Sequence, residues 1–175
     1  MRKLIRKLSD MRGISGFEYR LTDQIADMFK KYCDDVKIDS LGSVIAVKRS
    51  NKPNALKLMI EAHCDEIGLI VTSITDEGYL TFANVGGVDE RTLPSTEVTV
   101  HGKEDLWGVI GIKPNYLLEQ GKTAKLKELA VDTGLSAEKV KELVAVGDSI
   151  TLAQSVGRLG KKQFSGKSLD DRASV

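Results

Sequence analysis

The sequence predicts an α/β domain that is interrupted by an inserted β-rich module. Three observations support this fold class. The first 50 residues carry apolar positions at helical spacing and then short strand-like segments, which begins an α/β layer structure. From residue 67 to 163, short apolar runs alternate with turn residues at the close spacing of all-β proteins. The 175 residues are enough for two small domains. We therefore assign residues 1–66 and 164–175 to a partial α/β domain and residues 67–163 to the insertion.

Two helices are predicted before the first strand. Residues 2–10 predict a short helix because their apolar side chains fall on one face. The stretch Gly13–Gly16 breaks this helix, and Ser15 with Glu18 three residues later has the pattern of a capping box for the next one. The second helix then carries apolar residues at helical spacing: Leu21, Ile25, Met28, Phe29 and Tyr32.

Three strands are predicted before the insertion, namely Asp35–Asp39, Ser43–Lys48 and the apolar run Leu56–Ala62. Residues 115–130 are rich in lysine and predict a loop with some helix, and Ser136 begins a short capped helix after them. Within the insertion, short apolar runs between turn residues predict the strands Ile67–Ile74, Tyr79–Ala83, Glu97–Val100, Trp107–Ile112, Leu129–Asp132 and Ser149–Leu152.

Composition argues against several classes of function. The net charge of +1 gives no support for binding to nucleic acid or to an anionic membrane. No apolar stretch has the length of a membrane span, and the basic amino terminus lacks the apolar core of a signal peptide. The two cysteines, Cys33 and Cys64, do not have the spacing of a paired motif, which favours a reduced, cytoplasmic chain without a disulfide.

Ionisable side chains cluster at the carboxyl end of the predicted strand Leu56–Ala62, where His63, Asp65 and Glu66 follow one another. A lone histidine after a strand is more often a structural residue than a ligand. Burying these groups unpaired would be unfavourable, and a cation or a water-filled cleft would remove that penalty. Asp65 points to the same side of an extended chain as His63 and can orient the imidazole or a metal-bound water. The stretch therefore predicts a metal site.

A second acidic element, Asp170-Asp171, lies near the last residues of the sequence. Adjacent carboxylates are common on solvated loops, but one carboxylate can also bridge two cations. Arg172 directly follows Asp171, and we predict an ordinary surface salt bridge between the two side chains. His101 lies in a strand-turn context and is interpreted as an exposed β-residue without a role. Turn chemistry explains two further acidic residues, Asp132 and Asp148.

These motifs resemble the cytoplasmic metalloaminopeptidases that include tetrahedral, glutamyl and deblocking aminopeptidases, some of which carry the names cellulase M or endoglucanase. The similarity covers essentially the whole sequence and rests on motifs in the same order and at the same spacing. The motifs are Gly13–Glu18, Glu61–Gly68, Val85–Gly87, Gly108–Gly111, Val131–Gly134, Val146–Asp148 and Gly166–Arg172.

The resemblance implies a zinc-peptidase-like α/β catalytic domain and a two-metal exopeptidase that releases amino-terminal residues from peptides. His63 would be a terminal ligand of one metal, and Asp170 would bridge both metals through a carboxylate that precedes a cis peptide bond to Asp171. Asp65 would be the catalytic-centre residue that orients His63 and tunes its basicity. The two divalent cations, zinc or cobalt, would polarise the scissile carbonyl and activate a water whose proton a Glu general base accepts.

The resemblance also implies that the inserted domain is barrel-like and mediates dimerisation and larger homo-oligomers. The family's Glu-Glu pair, a later acidic ligand and a final His would all follow Asp171, where this sequence has none of them. A catalytic zinc needs three protein ligands. We therefore expect a truncated chain with an incomplete or empty metal site, no peptidase competence of its own, and an exposed apolar sheet edge.

Two other functions are compatible with the sequence. A chain that keeps the inserted domain but lacks a complete metal site could act as a non-catalytic assembly or interaction module. A glycoside hydrolase, which the endoglucanase name suggests, needs two carboxylates beside a sugar site. No such pair stands out, and aromatic residues for sugar stacking make up only 5% of the chain, so this is the weakest of the three hypotheses.

Overall fold

Two helices and a β-hairpin form the first part of the chain in the computed structural model, which describes residues 2–112 and 125–175. Helix α1 spans Arg2–Asp10 and α2 spans Tyr19–Phe29, and the hairpin joins β1 (Asp35–Ile38) to β2 (Val44–Val47). Helix α2 packs on both strands of the hairpin. These elements confirm both predicted helices and the first two predicted strands.

The apolar stripe of α2 forms a small core with the end of α1. Leu21 and Ile25 are buried against Leu8 and Met11, as the helical spacing predicts. Each such side chain contributes about 1.5–3 kcal/mol when it is fully buried. The assignment of Tyr32 to this stripe is wrong, because the helix ends at Phe29 and the Tyr32 side chain is exposed.

A closed barrel of six antiparallel strands follows. Its strands are β3 (Gly68–Ile74), β4 (Leu80–Val85), β5 (Glu97–His101), β6 (Asp105–Ile112), β7 (Leu129–Asp132) and β8 (Ser149–Leu152). They pair around the barrel in the order β3-β4-β7-β6-β5-β8, which differs from their order along the chain. All six strands predicted within the insertion therefore exist. Of the Lys-rich segment, residues 115–124 lie outside the described residues, and Leu126–Glu128 form a 3-10 turn.

The barrel holds the larger of the two apolar cores. Alternate residues of each strand point inward, which is the pattern that the short apolar runs predict. Helix α3 (Ala137–Leu143) contributes Val140 to this core, and Ser136 caps the helix by accepting a hydrogen bond from the backbone N–H of Lys139. The fully buried residues of this core include Leu69, Leu80, Val98, Ile110, Val131, Val140 and Ile150.

Ser15 does not cap α2, so the predicted capping box is wrong. The helix begins at Tyr19, and Glu18 occupies the capping position without a side-chain hydrogen bond to the helix. The Glu18 carboxylate instead accepts a hydrogen bond from the backbone N–H of Gly16 at 2.8 Å. The preceding residue, Ile14, is fully buried and forms a parallel bridge with Glu66. This bridge directs Ser15 away from the helix and toward the segment after residue 62.

The predicted strand Leu56–Ala62 is absent from the part of the chain that the structure describes. No described strand pairs with it, and Leu56 and Ile60 are 98% and 81% exposed. A strand needs a hydrogen-bonding neighbour, and the β1–β2 hairpin is a separate two-stranded sheet. An apolar sequence alone is therefore insufficient for a strand at this position.

After the barrel, a short hairpin and a helical turn bring the chain back to α1. The hairpin joins β9 (Gly157–Leu159) to β10 (Gln163–Ser165), and α4 (Leu169–Arg172) packs on α1. The peptide bond between Asp170 and Asp171 is cis, as the resemblance implies. None of the helices within residues 2–112 and 125–175 has both the length and the apolarity for crossing a membrane.

Candidate metal centre

The imidazole of His63 lies between two carboxylates. Its Nδ1 is 3.1 Å from Oδ1 of Asp65, and its Nε2 is 3.2 Å from Oδ1 of Asp170. His63 and Asp65 lie just before β3, whereas Asp170 lies in α4, so the fold brings together side chains that are 107 residues apart. All three residues singled out by the sequence are thus in one place. The side chains of His63 and Asp170 are 55% and 97% exposed, which leaves this face open to solvent.

The hydrogen-bond chemistry of His63 fits a cation. If Nδ1–H donates to Asp65, then Nε2 presents a lone pair to the Asp170 carboxylate, and two acceptors face each other. A proton or a metal ion between them resolves this conflict. Zinc lies at about 2.0–2.2 Å from imidazole nitrogen and carboxylate oxygen. Two ligands at those lengths are about 3 Å apart, close to the observed separation. Within the described ranges, no group of three or more His, Cys, Asp or Glu side chains could hold a metal ion.

The charges around His63 favour a positive centre. Burial alone would lower the pKa of His63, but the hydrogen bond to Asp170 and the charge of Asp65 outweigh it and raise that pKa. Burial would raise the pKa of Asp65, but the hydrogen bond from Ser15 and the interaction with His63 keep it below its ordinary value. The site therefore stabilises a cation on the imidazole and an anion on Asp65.

Ser15 is a site residue that the sequence did not reveal. Its hydroxyl donates a hydrogen bond to Oδ2 of Asp65, while Oδ1 of the same carboxylate faces His63. Gly68 permits the approach of this loop, because a Cβ at that position would overlap the side chain of Ile14. The Gly13–Gly16 motif was available as a signal, but its capping pattern suggested a different role.

A buried ionic cluster of Glu66, Lys167 and Arg172 lies beside the candidate metal centre. The Lys167 ammonium donates to both carboxylate oxygens of Glu66, and the Arg172 guanidinium lies 3.6 Å from one of them. The prediction that Arg172 makes a surface salt bridge with Asp171 is wrong. Its side chain is fully buried. It donates to backbone carbonyls of the amino-terminal segment and of Cys64, and these hydrogen bonds compensate the loss of water around the charge. Burial lowers the pKa of Lys167, and Glu66 opposes that effect.

The interpretation of His101 as an exposed residue is also wrong. Its ring is buried inside the barrel wall, where Nδ1 lies 2.6 Å from Asp105 and Nε2 lies 3.0 Å from the Thr151 hydroxyl. One neutral tautomer satisfies both partners, since Nδ1–H donates and Nε2 accepts. By contrast, Asp132 and Asp148 each accept a backbone N–H within a turn, as predicted.

Comparison with known proteins places these observations in a family. The family model that matches residues 42–175 is described as M42 glutamyl aminopeptidase. The lysyl aminopeptidase of Pyrococcus furiosus is 34% identical in an alignment that covers 97% of this chain and 51% of the relative. An aminopeptidase structure from Desulfurococcus kamchatkensis superposes with a TM-score of 0.89 at 38% identity, covering 97% of this chain and 48% of that one.

A third match is the TET1 peptidase of Pyrococcus horikoshii, with a TM-score of 0.81 and 35% identity over 98% of this chain and 52% of the other. The chain spans about half the length of the curated relatives that it matches, and corresponds to their amino-terminal half. The motif resemblance, the site geometry and these matches agree. The chain belongs to the M42 glutamyl aminopeptidase family of metal-dependent peptidases.

Proposed function

We propose that this chain contributes half of a two-metal aminopeptidase centre, with His63 as a terminal metal ligand and Asp170 as the bridging ligand. The observation that carries this proposal is the 3.2 Å separation between Nε2 of His63 and Oδ1 of Asp170, which are 107 residues apart in sequence. The two atoms are both acceptors when Nδ1 of His63 carries the proton. Family membership supports a metal-dependent reaction on peptides. The metals are zinc or cobalt, and the substrate is the amino-terminal residue of a peptide.

Asp65 has a distinct role in this proposal. Its carboxylate accepts the Nδ1–H of His63 and so selects the tautomer whose Nε2 lone pair faces Asp170. The exposed His63 and Asp170 side chains leave room for a peptide to approach from solvent. When bound, the two cations would polarise the scissile carbonyl and lower the pKa of a bridging water.

The remaining parts of the centre lie outside this sequence in our proposal. A catalytic zinc takes three protein ligands and keeps one open position, and the residues that the structure describes supply two donors. The relatives are about twice as long as this chain. We infer that further ligands and the Glu general base belong to that additional length. The 175 residues alone should then lack peptidase activity.

Metal analysis and a peptidase assay test the proposal together. After dialysis, the purified chain should retain almost no metal and should not hydrolyse aminoacyl p-nitroanilides or cellulose. Added Zn²⁺ should nevertheless bind weakly at His63, and D170N should abolish that binding. D76N is the matched control, because Asp76 is a fully exposed carboxylate in a barrel turn. Zinc that binds equally well to D170N would refute the ligand assignment, and stoichiometric metal with activity would refute the need for further ligands.

A second candidate function is a cytoplasmic assembly module. The barrel is closed and has its own core, so its fold does not depend on completing the metal centre. The TET1 peptidase of Pyrococcus horikoshii can assemble into a tetrahedron or a large octahedral shell. We infer that the barrel mediates homo-oligomer contacts in this chain as well. Sedimentation of the purified chain should reveal a defined oligomer, and a strictly monomeric species would contradict the inference.

A further inference from the structure

His63 and Asp170 lie on two segments that meet over a buried ionic cluster. The first segment is residues 63–66 and the second is residues 167–172. The cluster is formed by Glu66 from the first segment and by Lys167 and Arg172 from the second. At most 4% of any of these three side chains is exposed. The exposed ligand pair therefore has a water-excluded set of charges beside it.

The contacts of this cluster run between the two segments. Lys167 donates to Oε1 of Glu66 at 2.6 Å and also to Oε2. Arg172 donates to the carbonyl oxygen of Cys64 at 2.7 Å, directly next to His63 in sequence. Lys167 precedes Asp170 by three residues and Arg172 follows it by two. The cluster thus restrains the backbone on both sides of Asp170. It also holds the first segment at Cys64, between His63 and Asp65, and at Glu66, directly after Asp65.

The Gly13–Gly16 loop joins the same network. The backbone N–H of Gly13 donates to Oε1 of Glu66 at 3.1 Å, and the carbonyl of Gly13 accepts from Arg172 at 3.1 Å. Through this loop, Ser15 reaches Asp65. Three segments that are far apart in sequence are therefore connected by the side chains of Glu66 and Arg172.

Stability alone is a weak reason for such a cluster. Buried ion pairs can often be replaced by apolar residues of similar volume without loss of stability, because desolvation offsets their attraction. Charge-assisted hydrogen bonds are directional, so they fix the relative position of the groups that they join. Apolar contacts do not fix it in this way. Here the joined segments carry the two candidate ligands.

We propose that Glu66, Lys167 and Arg172 are positioning residues that hold His63 and Asp170 at the separation needed to share a metal ion. This inference rests on the proposed metal site. It assigns a role to a cluster that does not itself contact the metal. Residues that orient ligands in this way change metal affinity by about 10- to 100-fold when they are replaced.

The test is a zinc titration of the 175-residue chain followed by long-range ¹H–¹⁵N NMR of the histidine rings. The chain has only two histidines, so the two ring patterns can be assigned with H63Q and H101Q variants. The His63 pattern reports zinc binding, and the His101 pattern reports whether the barrel is folded. E66Q and K167M should each weaken zinc binding at His63 about tenfold or more, because each removes a charged contact that joins the two segments.

I25A separates positioning from general destabilisation. Ile25 is buried in the neighbouring core, and its aliphatic side chain makes none of the hydrogen bonds or ion pairs of the ionic cluster. I25A should lower the unfolding midpoint and leave zinc affinity within about twofold of wild type. Affinity losses that are equal in I25A, E66Q and K167M would overturn the inference, as would unchanged affinity in both cluster variants. If K167M fails to fold, the isosteric E66Q decides. D170N distinguishes the two proposals, since zinc binding that is insensitive to D170N refutes the metal site itself.

Discussion

The Asp65 carboxylate is shared between two partners, and this sharing explains why a serine belongs to the candidate centre. One oxygen faces the imidazole of His63, and the other accepts the hydroxyl of Ser15. Without Ser15, Asp65 could rotate about its side-chain torsions and the imidazole would lose a fixed partner. Ser15 therefore acts on the metal site through Asp65, without contacting a metal.

Replacing Ser15 should weaken zinc binding while leaving the barrel intact. In S15A the pKa of Asp65 should rise, because the hydrogen bond that keeps it low is removed. Zinc affinity at His63 should fall by about tenfold, as for other residues that orient metal ligands. S15T should restore it by supplying the same donor. Zinc titration by NMR measures the effect.

The control for this substitution is S73A. Ser73 is on barrel strand β3, and its hydroxyl hydrogen-bonds to Thr81 at 2.7 Å and not to a residue of the candidate metal centre. S73A should keep wild-type zinc affinity. Equal affinity in S15A and wild type would remove Ser15 from the site.

At the scale of elements, His101 joins three strands of the barrel. The residue ends β5, its partner Asp105 begins β6, and Thr151 lies on β8. Burial lowers the pKa of His101 below its ordinary value of 6.5, although Asp105 opposes this effect. The folded barrel therefore favours the neutral ring.

This ring makes the stability of the barrel dependent on pH. As the pH falls below about 6.5, the unfolded chain binds the proton before the folded chain does, so the free energy of unfolding decreases. The lowered pKa of Asp105 adds a further loss only below about 3.8. The raised pKa of His63 acts in the opposite direction over the same range, so the effect of His101 is measured in the H63Q variant. Urea unfolding of H63Q should give lower midpoints at pH 5 than at pH 7, and adding H101Q should lower stability at pH 7 but remove most of this pH dependence. An unchanged slope in the double variant H63Q/H101Q would show that other groups are responsible.

Local patterns predicted the elements whose partners lie nearby in sequence. Strands β3 and β4 are rich in apolar residues and are joined by a short turn, and they pair with each other. The local sequence therefore specifies both the strands and their pairing. The segment Leu56–Ala62 is equally apolar but lacks a partner in the described structure, and a partner cannot be read from the segment itself.

The candidate site divides in the same way. The proximity of His63 and Asp170 was predictable, because the motifs that carry them resemble those of one family. Ser15 and Arg172 were not, because their roles depend on contacts made 50 and 159 residues away in sequence. A hydroxyl near a helix suggests a cap, and an arginine beside an aspartate suggests a surface pair. Tertiary structure overrides both patterns.

At the scale of the whole molecule, the segment around Leu58 departs from a typical soluble surface. Its four large apolar side chains, Leu56, Leu58, Met59 and Ile60, are each more than 80% exposed. Contiguous exposed apolar surface favours association or binding of a partner. The segment differs from the exposed apolar sheet edge that the sequence predicts, because it forms no strand in the described structure.

Adding charge to this segment should improve solubility without destabilising the barrel. In the double variant L58K/M59K, fluorescence of an apolar dye and light scattering at high concentration should both decrease. The urea midpoint should remain near that of wild type, since neither side chain is buried. L41K is a suitable control, because Leu41 is 90% exposed but isolated from the segment in sequence. Equal effects of L41K would show that general charge and not this segment governs association.

The closed barrel also has an entropic consequence for the metal centre. His63 and Asp170 are 107 residues apart, but once the barrel has folded, residues 64–67 and 153–169 connect the two ligands to the first and last barrel strands. The flexible path between the two ligands is thereby shortened roughly fivefold. Loop-closure entropy grows with the logarithm of path length, so this shortening favours their encounter by about 1.4 kcal/mol, or tenfold in local concentration. Folding of the barrel thus lowers the entropic cost of bringing His63 and Asp170 together, although neither residue belongs to a barrel strand.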